Sequence, residues 1–375
     1  MKKTLLATAI AGAMAASGAQ AATVYNQDGT KLDLYGNIQI GYVNQDTGSG
    51  DNDDADQIFD NGSTFGFAAE HVIYDGLTGY LKLEFDDFQA DEMKVAGRDS
   101  GDQAYVGLKG NFGDARLGSY DPLIDDWIQD PLTNNEFFDA SDSNSEIVDF
   151  YGTDDREGDK VTYTSPSFGG LQFAVGTQYK GEAEESGVLP FDDGMGGVDF
   201  ENVETESNAS FFGGAKYTVG GFSIAAVYDD LGIYDATGSE TGNEFEAGDQ
   251  YGITGQYTWN TLRVALKLER FEADNENFDD VNFYGLGARY GYGMGDIYAA
   301  YQYVDVGGDD FGTTFEDAAT SGDFPNEEND DSYNEVIVGG TYNISDAMYT
   351  WAEVAMYDRE DDEGDGGAVG VTYLF

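Results

Sequence analysis

The chain has 375 residues, no cysteine, and 73 Asp+Glu against 17 Lys+Arg, for a formal net charge of −56. That balance excludes nucleic acid and bare anionic headgroups as direct partners, and the absence of cysteine excludes disulfide frameworks and thiolate metal sites. The 26 Tyr and 24 Phe fall in periodic runs with many Val, Leu and Ile, which excludes a disordered acidic chain.

The first 21 residues have the pattern of a cleaved export signal. Lys2 and Lys3 precede a small-residue apolar run from Leu5 to Ala16, and Ala19-Gln20-Ala21 forms the cleavage site. The run is shorter than the ~20 residues of a spanning helix. Residues 1–21 are therefore expected to be a signal peptide, and 22–375 one domain.

Strand signals then follow one another. In KLDLYGNIQIGYV (31–43), Leu32, Leu34, Ile38, Ile40 and Tyr42 alternate with Asp33, Tyr35, Asn37 and Gln39. After an acidic loop come STFGFAAEHV, the turn YDG and LTGYLKLEFDDF. Another loop precedes QAYVGLKG, the turn NFGD and ARLGSY. The longest connector, roughly Asp121–Asp159, leads to KVTYTS, the turn PSFGG and LQFAVGTQY. The same rhythm carries on through ASFFGGAKYTV, FSIAAVY, QYGITGQYTW, LRVALKLERF, VNFYGLGARYGYG, DIYAAYQYVDV, SYNEVIVGGTYNI and MYTWAEVAMY to GGAVGVTYLF. The result is about sixteen segments, with seven short turns alternating with eight long connectors. A transmembrane antiparallel β-barrel has this asymmetry, because its strands alternate apolar-out and polar-in. Aromatic residues near strand ends, among them Tyr42, Phe85, Tyr179, Tyr228, Trp259 and Tyr357, suit its interfacial girdles.

Alternation also places basic side chains. Lys82, Arg116, Arg263, Lys267 and Arg289 fall on the polar phase of their strands, which is the lumen phase. A charge facing lipid at mid-membrane would cost ~2–4 kcal/mol. The other reading is that they form structural ion pairs with Glu84 or Glu269.

The export signal, TVYNQDGTKLDLYG (23–36), LTGYLKLEF (77–85), YVGLKGNFGDARLGSY (105–120), VTYTSPSFGGLQFAVGTQY (161–179) and the terminal VTYLF carry a family resemblance. Over its whole length the chain resembles the general porins of Gram-negative outer membranes. The charge marks it as an acidic member suited to concentrated salt, where the Debye length falls to ~3 Å and self-repulsion is screened. The resemblance implies a homotrimeric outer-membrane channel for ions and small hydrophilic solutes. Its surroundings would be outer-membrane lipid and lipopolysaccharide. Val371, Tyr373 and Phe375 resemble the terminal signal read by the barrel-assembly machinery.

In that family the third long loop folds into the barrel and sets carboxylates against bases on the facing wall. Here that loop carries Asp121, Asp125, Asp126, Asp130, Glu136, Asp139 and Asp142. EFFDAS (136–141) lacks the proline and paired glycines of the family motif. Arg156 matches the family's arginine seven residues before the strand tyrosine, here Tyr163. Ser119, Asp102 and Gln103 stand where other members carry arginine, so the constriction is expected to be acid-rich and cation-selective.

No catalytic machinery is expected. The one histidine, His71, lies at a strand end without a nucleophile pattern. The acidic strings GSGDNDDADQ, GGDDFG and DREDDEGDGG lack EF-hand spacing, so no cofactor is expected, and weak divalent-cation binding by the loops stays open. Two alternatives remain at this point: a substrate-selective outer-membrane channel and a secreted, acidic, calcium-binding adhesion protein.

Overall fold

The structure, a computed structural model, describes residues 21–47, 54–90, 94–95, 101–129, 132, 135–144, 158–181, 188–192, 198–204, 208–238, 242, 244–274, 279–308, 332–359 and 362–375. The export signal falls outside these residues, apart from its last position.

Sixteen antiparallel strands close into one barrel. They are β1 (Thr30–Asp46), β2 (Asp54–Asp60, continued by Ser63–Tyr74), β3 (Leu77–Gln89), β4 (Gly101–Gly110) and β5 (Gly113–Ser119). After the third long loop come β6 (Lys160–Thr164), β7 (Leu171–Lys180), β8 (Asn208–Val219), β9 (Phe222–Asp230), β10 (Asp249–Trp259) and β11 (Leu262–Glu272). The last five are β12 (Val281–Gly291), β13 (Asp296–Val306), β14 (Tyr333–Ser345), β15 (Met348–Tyr357) and β16 (Gly366–Leu374). Each strand pairs with the next. Short ladders in the fourth and fifth long connectors pair among themselves.

The apolar residues of the alternation face out. Leu117, Val175, Phe211, Leu266 and Val354 are all more than half exposed. Such a band would be an aggregation surface in water, but it suits lipid. The inner phase is polar and packed: Gln250, Lys267, Glu269, Gln302 and Thr372 have no exposed surface. Neighbouring strands pair sideways around the wall, which is what hydrocarbon demands.

The structure differs from the sequence reading in two places. Strand β2 begins at Asp54, inside the segment expected to be loop, because β1 extends far enough to pair with it from Ile40 to Asp46. An extra N-terminal arm, Ala22–Gln27, folds back on Thr30–Leu34. The turn between them, Asp28-Gly29, has positive φ at both residues (52° and 76°), the type I′ hairpin geometry that Asp-Gly favours.

Closure runs from Asn37↔Leu374 to Gln45↔Gly366 between β1 and β16. Beyond it, Gly36 and Phe375 exchange backbone hydrogen bonds, each 3.0 Å long. A Cβ on Gly36 would lie 2.7 Å from the Phe375 ring, so the glycine makes room for that ring at the seam. Val371 and Tyr373 continue the same outward row, with Tyr373 half exposed. Deleting Phe375 removes both the ring and the last rung. The expected result is a barrel whose heat-resistant oligomer band on a denaturing gel collapses to the monomer at a lower heating temperature. An unchanged melting profile would show that the seam closes without it.

Candidate functional site

The third loop lines the inside of the barrel as one long excursion. It leaves β5 and reaches the β7–β9 wall, where Ile124 and Ile128, both without exposed surface, pack with Trp127 on Ala174, Phe212, Ala225 and Val227. Leu132 lies over Gly285 and Gly287 of β12, whose missing side chains leave it room. The tip, Phe137 and Phe138, packs beside Ile337, Trp351 and Tyr357, and the Phe137 ring sits 4.6 Å from Phe59 of β2. The loop then returns along β14 and β13 to β11, where Ser143 and Asn144 meet the outgoing Gln129.

Three inward glutamates hold this path. Glu353 of β15 accepts the backbone N–H groups of Glu136, Phe137 and Phe138 at 2.6, 2.8 and 2.9 Å, and the Tyr298 hydroxyl also donates to it. Glu335 of β14 accepts the Ser141 N–H at 2.9 Å, its hydroxyl at 2.6 Å and the Gln302 amide at 2.8 Å. Glu269 of β11 accepts the Gln129 amide and the Ser143 hydroxyl, each at 2.6 Å. A loop inside a barrel cannot complete a ladder, so its N–H groups need side-chain acceptors. Ionised acceptors make these bonds short and strong.

The predicted residues fall into distinct settings. Asp121 accepts the Gln103 amide at 2.8 Å. Asp126 lies 3.7 Å from Arg116. Asp125 sits beside it in the buried turn 125–129. Glu136 accepts the Tyr349 hydroxyl at 3.1 Å and lies 4.0 Å from Arg289. Asp139 is exposed, and Asp142 accepts the Asn144 N–H at 2.9 Å. Asp130 and Arg156 lie outside the described residues, as do parts of the acidic strings.

Among the bases, Lys82 pairs with Glu84 at 3.2 Å and donates to Gln103. Arg116 stacks 3.8 Å from the Tyr120 ring centre. Arg263 and Arg289 stand directly opposite each other on β11 and β12. Lys267 is different. It is ion-paired with Glu269 at 2.9 Å, donates to the Ser141 carbonyl, and is sealed behind the loop with no exposed surface. It is therefore a wall anchor for the loop, out of reach of the open lumen.

Sequence reasoning passed over the loop's glutamate anchors and three inner bases. Lys160 of β6 packs 5.0 Å from the Tyr120 ring centre, Lys216 of β8 lies 4.5 Å from the Trp127 ring, and Arg359 pairs with Glu335 at 3.0 Å. For Lys160 and Lys216 the signal was available, since both sit on the inner phase of their strands. The fifth connector also turns inward: Leu231, Ile233 and Tyr234 pack on Phe271, Phe283 and Val304, which share the inner face with Glu269 and Gln302.

Two loop carboxylates are electrostatically displaced. Burial pushes Glu136 up to about 7, with Arg289 and the Tyr349 bond pulling the other way and the nearby Glu353 charge adding to the rise. Burial also raises Asp126, against the pull of Arg116. Among the described residues no group of three His, Asp or Glu stands together as a metal site.

Comparison with known proteins agrees with this architecture. Residues 6–362 match the family model described as "Gram-negative porin". The chain is 66% identical, over the whole of both chains, to a "Monosaccharide porin" of a Halomonas species and to a "Major outer membrane protein" of Halomonas elongata. It is 27% identical to the outer membrane porin protein OmpD of Citrobacter koseri, over 84% of each chain. Among solved structures, OmpF of Salmonella typhi matches with a TM-score of 0.63 at 20% identity, covering 94% of this chain and all of that one. An anion-selective porin from Comamonas acidovorans matches with a TM-score of 0.61 at 16% identity, covering 92% and 100%. Sixteen closed strands, an apolar outer band, a polar lumen and an inward third loop meet in one family: this chain belongs to the Gram-negative porins, non-enzymatic outer-membrane channels for passive diffusion.

Proposed function

We propose that this porin is a cation-preferring channel for ions and small hydrophilic solutes of about monosaccharide size, working as a homotrimer. One observation carries the charge preference. The wall bases Lys82, Arg116, Lys267, Arg289 and Arg359 each have a carboxylate within 4.0 Å. Their positive charge is largely balanced locally, while the chain as a whole remains strongly acidic. Low-dielectric walls focus the remaining negative field on a permeating ion. The anion-selective neighbour shares the fold, so the sign of selectivity resides in the side chains.

The solute size rests on the relative named a monosaccharide porin. A sugar-selective channel is the second reading, favoured by that name. Against it, the lumen tyrosines Tyr120 and Tyr298 are buried under arginines, where a sugar could not stack. A soluble adhesin does not fit a closed barrel with an apolar outer band. The trimer is supported by OmpT of Vibrio cholerae, which has been solved in a trimer form. Contact with lipopolysaccharide and assembly machinery, and weak divalent-cation binding by the loops, belong to the same proposal.

The test is a planar bilayer with a KCl gradient. The reversal potential should report K⁺ preference, strongest in dilute salt, because screening shortens from ~8 Å at physiological salt to ~3 Å near 1 M. Glu136→Gln with Asp139→Asn should reduce the preference. Chloride preference in the wild type would overturn the electrostatic reading and leave the porin fold standing.

A further inference from the structure

Toward the long-connector end of β11–β13 the inner phase of the wall turns apolar. Phe271 and Val281 stand opposite each other there, and two residues further into the barrel Glu269, Phe283 and Val304 form one row across the three strands. Phe271, Val281, Phe283 and Val304 are all buried. Apolar side chains on a lumen-facing phase need a cover to keep them from water. The cover is a turn of the fifth connector, in which Leu231, Ile233 and Tyr234, with Ala247 beside them, are buried against the same cluster. The turn is tied down by its backbone. The Ile233 N–H donates to the Ser210 hydroxyl at 2.7 Å, the Leu231 N–H donates to the Gly248 carbonyl at 3.1 Å, and the Asn208 amide donates to the Gly232 carbonyl.

This cover reaches the third loop through one ring. Phe283 lies directly opposite Glu269, and the Lys267 ammonium sits 5.4 Å from its ring centre. That ion pair holds the loop's return arm. Lys267 donates to the Ser141 carbonyl at 3.1 Å, and Glu269 accepts the Ser143 N–H and hydroxyl at 3.2 and 2.6 Å. Tyr333 packs on the same apolar cluster, with its hydroxyl 3.3 Å from that of Ser141. Opposite charges attract strongly where the surroundings polarise little, and an ion pair open to water is worth far less. Water admitted over Phe283 would therefore weaken the hold on the return arm.

We propose that the fifth connector is a latch for the third loop. With Leu231–Tyr234 seated, the return arm stays on the wall. With the turn lifted from β11–β13, the arm is free to enter the lumen and reduce the current. The latch goes beyond the charge preference proposed above and holds for either sign of it.

Ile233→Ser makes the underside of the turn polar and leaves the ion pair and the third loop unaltered, and Ile233→Val keeps the underside apolar. In the Ile233→Ser channel the Ser143 amide should exchange about tenfold faster, through an opening equilibrium shifted by one decade. The Phe138 amide, held by Glu353, should keep its wild-type rate, and single-channel current should show brief closures. Ile233→Val should match the wild type in all three. Leu231→Ala, a milder change at the same seat, should move Ser143 exchange in the same direction. Wild-type Ser143 exchange in both Ile233→Ser and Leu231→Ala would overturn the latch. Equal acceleration at Ser143 and Phe138, or a steady wild-type current beside faster Ser143 exchange, would overturn it as well.

Discussion

Glu353→Gln should give a channel with a lower, flickering current. The carboxylate accepts three consecutive loop N–H groups and the Tyr298 hydroxyl, and it is almost fully buried. An amide in its place keeps one acceptor oxygen and points a donor at donors. Each buried N–H left unpaired costs about 1–3 kcal/mol, so the tip should lose roughly 3 kcal/mol or more of its hold on the wall. The tip already lies flat against β15, so the space open to it when released is the lumen. Its excursions should block current, because Phe137 and Phe138 are large and the loop is still anchored at Ile124 and Ile128. Single-channel recording reads this directly. The barrel should keep its heat-resistant gel mobility, since Glu353 contributes nothing to strand pairing through its side chain. A steady current of wild-type size would show that apolar packing alone holds the tip. Glu335→Gln should give the same flicker more weakly, because its loop contacts all go to one residue, Ser141.

That clamp shows where sequence reasoning reaches its end. The barrel itself was legible because a lipid-facing strand imposes a period of two that survives in a single sequence. Ile38 and Tyr42 against Tyr35 and Val43 show it within one strand, the first two exposed and the last two buried. The start of β2 was not legible. Its acidic residues form a strand because β1 extends to meet them, and nothing in their own pattern says so. The N-terminal arm did carry a signal, the Asp-Gly pair, which was passed over beside the stronger alternation after it. The direction of the third loop came from family resemblance, and its attachment came from neither source. Glu353 bonds to a residue 217 positions away, and on its own strand it looks like any other inward polar residue. A charge that serves ions and a charge that serves a loop share one phase of the alternation. Lys267 shows the same ambiguity: its phase was right, and the loop closed over it.

Raising the pH from about 6 to 8 should both strengthen cation preference and loosen the loop tip. Glu136 sits at the centre of both effects. Burial lifts it from the ordinary value of 4.5 to about 7, so the folded protein holds a proton there that the unfolded chain releases. For an acid shifted upward, the native state binds more protons between the two values, so its contribution to stability falls as pH rises across that window. Below it both states are protonated, and above it both are ionised. The charge that appears near pH 7 lies beside Glu353, which already holds the tip. Repulsion between the two works against the clamp, and the new charge adds to the negative field. The reversal potential in a KCl gradient should therefore move toward K⁺ with a midpoint near 7. Hydrogen exchange at Phe137 and Phe138, measured against strand amides to remove intrinsic pH dependence, should quicken over the same range. Glu136→Gln should hold both at their low-pH values, because the amide keeps the volume and cannot ionise. A midpoint near 4.5 would mean that water reaches Glu136 freely, and the tip would then lie farther from β15 than the Tyr349 bond places it.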